Sequence, residues 1–268
     1  MTMKITILGS GGSAGVPMVG GDEGENTGIW GKCDPHNPRN RRTRASIVIE
    51  YQGFRLLVDA SPDFRTQMLN AGFSKVDAIF CTHPHSDHIG GLDELRAVNR
   101  QIKKYLPLYG TETTLEEIKK RCAYAFRPHA PDRFPWPSFD LMPVKEGQTL
   151  KIGPLKLSVL RQEHGGYFSN GLRIGNFAYS TDVTAFPEES EKMLFGLKCW
   201  LIGCFQEKDH PSHASLEDVF RWKEAFHPEK IILTHMGHKL DYETLKNSLP
   251  KDIIPGWDGM SFDVPYDL

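Results

Sequence analysis

Six residues, His83-Pro84-His85-Ser86-Asp87-His88, constrain this chain more than any other stretch. Three imidazoles and a carboxylate follow the apolar run Ala78-Ile79-Phe80-Cys81 directly, so a strand hands over to a set of metal-competent side chains. Imidazole with carboxylate is a borderline donor set that suits Zn, Mn or Fe better than Ca. Side chains alternate along an extended segment, so His83 and His85 leave on one side. Pro84 disfavours helical backbone at His83 and keeps the segment extended. Ser86 is then placed to cap a helix that begins near Asp87 and runs through Leu92, Leu95 and Val98. Asp87 and His88 would leave from its first turn in another direction. Four ligands in two directions can serve two ions, one pair on each.

The rest of the chain reads as an α/β protein. Short apolar runs at 4–8, 46–50, 54–59, 78–82, 155–160, 177–181, 199–203 and 231–234 are strand candidates. Helical patterns alternate with them at 63–71, 88–100, 113–123, 187–195, 215–226 and 242–249. Tyr51-Gln52-Gly53 has hairpin-turn chemistry, and Ser215 with Asp218 has the spacing of a capping box. No low-complexity linker divides the 268 residues, which predicts one domain over 1–268. Two stretches look irregular: the glycine-rich, then basic, segment 9–44, and the Pro/aromatic segment 127–137.

Composition excludes several classes. No run approaches the roughly 18 apolar residues of a membrane span. The N-terminal run is too short and alternates too well for a signal peptide. Five cysteines without a C-x-x-C pair argue against a disulfide framework or a cysteine zinc site, and predict a reduced, cytoplasmic protein. A formal charge of −2 gives no global pull on nucleic acid. The run Arg39-Asn40-Arg41-Arg42-Thr43-Arg44 is the local exception, readable as a solvated turn or as a phosphate-facing loop.

Three further residues share the context of a strand ending in a polar, metal-competent side chain: His164, Asp182 and His235. Ligands at strand ends are what an open α/β sheet offers.

With these residues in place, the chain resembles a metallo-β-lactamase-fold hydrolase across nearly its whole length. The resemblance implies an αββα four-layer sandwich and a dinuclear centre. It assigns His83, His85 and His164 to one ion and Asp87, His88 and His235 to the other. Asp182 bridges them, and Asp59 supports the site from behind. Within the superfamily, the run 8–17 (Leu-Gly-Ser-Gly-Gly-Ser-Ala-Gly-Val-Pro), Arg41-Arg42, Gly91-Leu92-x-x-Leu95-Arg96, Leu233-Thr234-His235-x-x-His238 and Trp257-Asp258-Gly259-Met260 are similar to the cyclic phosphodiesterase of phosphonate breakdown. His213 falls where that enzyme and the tRNA 3′-processing nucleases keep a histidine that acts as general acid. One departure stands out: the cysteine cluster that holds a structural zinc in the phosphonate enzyme is reduced to Cys33. His238 is therefore expected to pack or hydrogen-bond without a zinc.

The implied activity is phosphodiester hydrolysis assisted by two divalent ions, Mn or Zn. Asp87 and Asp182 stand in the catalytic centre, and His213 protonates the leaving oxygen. Arg96, Arg41 and Arg42 are candidates to neutralise the phosphate. The expected substrate is a small, cyclic or nucleotide-like phosphodiester, with neither membrane nor nucleic acid as partner and with a homodimer left open. The competitors are a tRNA 3′-processing nuclease, which usually adds a basic arm not visible here, a lactam or thioester hydrolase, and an iron-carrying redox protein of the same fold.

Overall fold

The computed structural model describes residues 1–126 and 138–266; the Pro/aromatic segment 127–137 lies outside them. Among the described residues, fourteen strands form two seven-stranded mixed sheets. In chain order they are β1 (Thr2–Gly9), β2 (Ser46–Tyr51), β3 (Phe54–Val58), β4 (Ala78–Phe80), β5 (Leu106–Thr111), β6 (Phe139–Val144), β7 (Thr149–Ile152), β8 (Leu155–His164), β9 (Tyr167–Ile174), β10 (Phe177–Ser180), β11 (Cys199–Gly203), β12 (Ile231–Thr234), β13 (Ile253–Pro255) and β14 (Ser261–Pro265). The first sheet runs β14-β1-β2-β3-β4-β5-β6 and the second β13-β12-β11-β10-β9-β8-β7. The helices are α1 (Phe64–Asn70), α2 (Ser86–Ile89), α3 (Arg96–Ile102), α4 (Glu112–Arg121), α5 (Glu188–Glu191), α6 (Leu216–Phe226) and α7 (Tyr242–Ser248).

Side-chain alternation sorts the core into three layers of contact. Ile47, Ile49, Leu56 and Val58 of one sheet meet Leu157, Leu172, Tyr179 and Leu201 of the other. Their neighbours Val48, Leu57 and Ile79 point outward to Phe64, Leu95, Val98 and Ile118. On the far side Trp200, Ile202 and Leu233 pack on Val219, Trp222 and Phe226. Both faces of each central strand are thus covered, which is why these strands read as continuous apolar runs. This is the metallo-β-lactamase αββα sandwich.

Several boundaries differ from the sequence reading. The helical pattern 88–100 is divided into α2, a 3₁₀ turn at Leu92–Leu95, and α3. Gly90 and Gly91 sit at the break because the chain at Ser61-Pro62 crosses there: a Cβ on Gly91 would lie 2.0 Å from the Ser61 carbonyl oxygen. Ser86 does not cap α2; His85 holds that position, with extended backbone and no side-chain capping bond. β8 continues to His164, past the expected Leu160, because it pairs with β9 across the Gly165-Gly166 turn. The capping box at Ser215 and Asp218 is present, and the Gln52-Gly53 turn uses positive φ at both residues.

The irregular segment 9–44 is tied to the C-terminal part of the chain. Asp258 accepts hydrogen bonds from the amide and hydroxyl of Ser10 (2.8 and 2.7 Å) and of Thr43 (2.7 and 2.6 Å). This accounts for Asp258 in the Trp257–Met260 run. Asp258→Ala would leave four donors without their acceptor, and we expect a loss of about 2–3 kcal/mol of stability. Urea unfolding checks it; a change under 0.5 kcal/mol would refute the clasp.

Asp241 makes a second tie. Its Oδ1 accepts from the Thr244 amide at 2.9 Å, capping α7, and its Oδ2 accepts from Asn40 Nδ2 at 2.7 Å. Burial pushes this carboxyl up, but the donors outweigh it and hold it at about 2. Its folded value lies below the unfolded value of about 3.9. The stability it contributes is therefore present above about pH 4 and lost as the pH falls toward 2. Asp241→Ala should cost about 1 kcal/mol at neutral pH and flatten that acid limb, read as Tm against pH.

Candidate metal centre

The first trio comes from one strand exit and one hairpin. β4 ends at Phe80, two residues short of the expected Thr82, because Thr82 turns its amide and hydroxyl to Asp59 (both 2.8 Å). The Thr82 hydroxyl also meets His83 Nδ1 at 3.0 Å, which leaves Nε2 directed inward. His164, at the end of β8, uses Nδ1 to donate to the Ser212 carbonyl, so its Nε2 faces His85 Nδ1 at 3.3 Å. His83, His85 and His164 each place a ligand atom within 4.8 Å of the others.

The second trio, Asp87, His88 and His235, meets the same limit. Asp59 Oδ2 accepts from His88 Nδ1 at 2.7 Å and so fixes His88 Nε2 toward the centre. Asp182 lies between the trios. Its Oδ1 is 3.6 Å from His164 Nε2, while its Oδ2 is 3.1 Å from His88 Nε2 and 3.3 Å from His235 Nε2. One carboxylate oxygen thus faces each trio.

Two carboxylates and the last histidine sit on left-handed backbone that the surrounding structure holds. Asp59, Asp182 and His235, each just past a strand end, all have left-handed φ (63°, 49° and 51°). Non-glycine residues rarely adopt that region, and an observed instance at a site is a pointer to function.

The donor set fits divalent cations. Nε2 of His83, His88 and His235 is buried in each case without a hydrogen-bond partner, an arrangement that native interiors rarely tolerate unless something else occupies the site. Burial alone would raise Asp87 and Asp182. The imidazoles of His88 and His235 outweigh it and hold both carboxyls well below the usual carboxylate range. Burial disfavours charge on His88, yet Asp182, Asp59 and Asp87 push its pKa well above the ordinary value. A cluster of ionised carboxylates around inward-facing imidazoles is matched by a metal ion.

His213 joins the cluster from the loop before α6. Its Nδ1 is 3.3 Å from Asp182 Oδ1. Its ring packs against both Phe205 (centroids 5.0 Å, stacked) and His235 (4.8 Å), which also approach each other at 6.3 Å. Burial and the neighbouring His235 push it down to about 3, so it is a neutral imidazole before a substrate anion arrives. The glycine-rich run forms the wall behind this stack: a Cβ on Gly12 would meet the Phe205 ring at 2.8 Å and lie 3.5 Å from His235. Gly9, Gly11 and Gly15 of the same run pack instead on the backbone of Arg42 to Arg44.

Of the three arginines expected at the phosphate, Arg42 is committed elsewhere. Arg42 is buried, and its guanidinium donates to the carbonyls of Gly237 (3.1 Å) and Leu240 (2.7 Å) and to Asn40 Oδ1 (3.3 Å). That fork is committed to the loop after His235. Arg41 stacks over Trp30 at 4.8 Å. Arg96 stands at the start of α3, where its charge acts on the Tyr124 hydroxyl. The cavity beside His83 and His85 is lined by Lys120, Arg121 and Lys145 together with Glu112, Glu116, Glu117 and Glu146. Sequence reading missed them because α4 looks like an ordinary charged amphipathic helix. His238 packs on Gly31, and its carbonyl accepts from the Lys32 amide at 2.9 Å.

A family model for the beta-lactamase superfamily domain matches residues 54–236. The crystal structure of a new diphosphatase from the PhnP family superposes with a TM-score of 0.89 at 32% identity, covering 100% of this chain and 99% of that one. The octanoyltransferase of Porphyromonas gingivalis is 34% identical over 265 residues, 96% of this chain and 51% of that protein. The chain thus spans about half the length of the curated relatives it matches. The Zn²⁺-bound PqqB of Methylobacterium extorquens shares the fold, with a TM-score of 0.70 at 17% identity over 97% of this chain and 100% of that one. Among the described residues no helix is long and apolar enough to cross a membrane.

Proposed function

This chain belongs to the β-lactamase superfamily, with the metallo-β-lactamase fold, and we propose that it is a metal-dependent phosphoesterase that cleaves a small phosphodiester or nucleotide-like diphosphate. The observation that carries this reading is the end-to-end likeness to the PhnP-family diphosphatase. The octanoyl transfer in the name of the P. gingivalis relative belongs to a protein about twice as long and is not carried over.

His83, His85 and His164 would hold one ion, and Asp87, His88 and His235 the other, with Asp182 shared. Divalent ions, Mn or Zn, supply Lewis acidity to a phosphoryl oxygen and to the attacking water. The chain's own residues do the rest. Asp59 and Thr82 fix the tautomers and directions of His88 and His83, as supporting carboxylates and hydroxyls do behind metal ligands. Asp182 sets the spacing of the two trios. His213, neutral at rest and held in line by Phe205, takes up a proton as the substrate's negative charge arrives and passes it to the departing oxygen as the P–O bond breaks.

Purified protein loaded with Mn or Zn should turn over bis(p-nitrophenyl) phosphate, 2′,3′-cyclic nucleotides or a dinucleoside diphosphate well above an Asp182→Ala control. Hydrolysis of a thioester or a lactam with no phosphoester turnover would overturn the proposal.

A further inference from the structure

A cavity of about 760 Å³ opens beside His83 and His85, within the usual size of a small-molecule site. Three observations define what it can hold. Tyr167, at the start of β9, lines it with a ring that is 66% exposed and meets the His85 ring edge-on at 5.6 Å. Asn170, three residues further along β9, also lines it. It is 3% exposed, and its Nδ2 is buried without a hydrogen-bond partner. The charged lining does not favour a polyanion: Glu112 and Glu116 stand against Lys120 and Lys145, Glu146 is paired with Arg161 at 3.2 Å, and Arg121 is tied to Glu117 at 2.8 Å.

A large exposed aromatic side chain and an unsatisfied buried amide donor lining one cavity are chemistry for a flat, uncharged ring that carries a hydrogen-bond acceptor. A chain of phosphates would meet carboxylates there. We propose that this cavity is a nucleobase subsite, in which Tyr167 stacks on the base and Asn170 donates to one of its oxygens or ring nitrogens, while the phosphoryl group of the same substrate lies at the histidines. The substrate class is then a compact mononucleotide ester, not an RNA strand. This inference rests on the phosphoesterase reading above.

The test compares two diesters with the same leaving group, thymidine 5′-(4-nitrophenyl) phosphate and methyl 4-nitrophenyl phosphate. Stacking of one base on an aromatic side chain supports about tenfold in affinity. The wild-type kcat/KM ratio of nucleoside to methyl ester should therefore be about tenfold or more. Tyr167→Ala should collapse that ratio toward one, chiefly through KM, and Tyr167→Phe should restore it. Asn170→Ala should also lower it. A wild-type ratio near one, or equal losses on both esters in Tyr167→Ala, would overturn the subsite. If neither ester is hydrolysed, the phosphoesterase reading fails separately, and calorimetry decides the subsite. Thymidine 5′-monophosphate should bind more tightly than inorganic phosphate, and the difference should vanish in Tyr167→Ala. Equal binding of the two by the wild-type protein would refute it.

Discussion

Asp182→Ala is expected to lower phosphoester hydrolysis on the order of 10³-fold or more, the scale of losses when a member of a concerted catalytic set is removed. Its two oxygens face different trios, 3.6 Å from His164 and 3.1 Å from His88. On the proposed two-ion reading, alanine would deprive both trios at once and leave buried imidazoles pointing at one another. Metal content measured by atomic emission should fall from about two ions per chain. Asp182→Asn keeps the volume and one acceptor oxygen, so it should retain more metal than alanine while still losing most activity. A variant with wild-type metal content and activity within tenfold of wild type would refute the bridging role.

His213→Ala should act on the leaving group and not on the fold. A nitrophenolate departs without help, whereas an alkoxide needs a proton. Loss on alkyl diesters should therefore reach about 10²–10⁴-fold, the usual scale of general acid–base catalysis, against less than about tenfold on nitrophenyl esters. The pH dependence follows from the resting state. Burial and His235 hold His213 down at about 3 in the free protein. The acid form is scarce at neutral pH until the substrate anion raises the pKa. Turnover of an alkyl diester should fall as the pH rises through that raised value, and the variant should lack this alkaline limb. Equal losses on both substrate types would exclude proton donation by His213.

How much of this was legible beforehand depends on where the physical information lies. Strands β11 and β12 were bounded correctly because both of their faces are buried and the apolar run has no competing pattern. β9 was invisible: Ser169, Asn170 and Gly171 interrupt any alternation, and the strand exists because its partner β8 and the Gly165-Gly166 turn impose it. The ligand residues stood out as types at strand ends, but their trios rest on tertiary geometry. The arginine run misled for an instructive reason. A guanidinium fork fits carbonyl oxygens as well as phosphate oxygens, and nothing local shows that the Gly237 and Leu240 carbonyls would claim Arg42. The cations near the histidines come from α4 and the loop after β6, segments whose charges look like ordinary solvated surface.

The left-handed backbone at Asp59, Asp182 and His235 has an energetic corollary. Each such residue costs on the order of 1 kcal/mol or more relative to glycine in the same conformation. The proposed metal chemistry supplies a reason for aspartate and histidine to stand there in place of glycine. Glycine would relieve the backbone at each position, but at 59 it would also strip the buried Thr82 amide and hydroxyl of their acceptor, so the carboxylate there serves the strand exit as well as the site. At 59 and 182, then, a side chain that the proposed chemistry uses sits on backbone that glycine would hold with less strain.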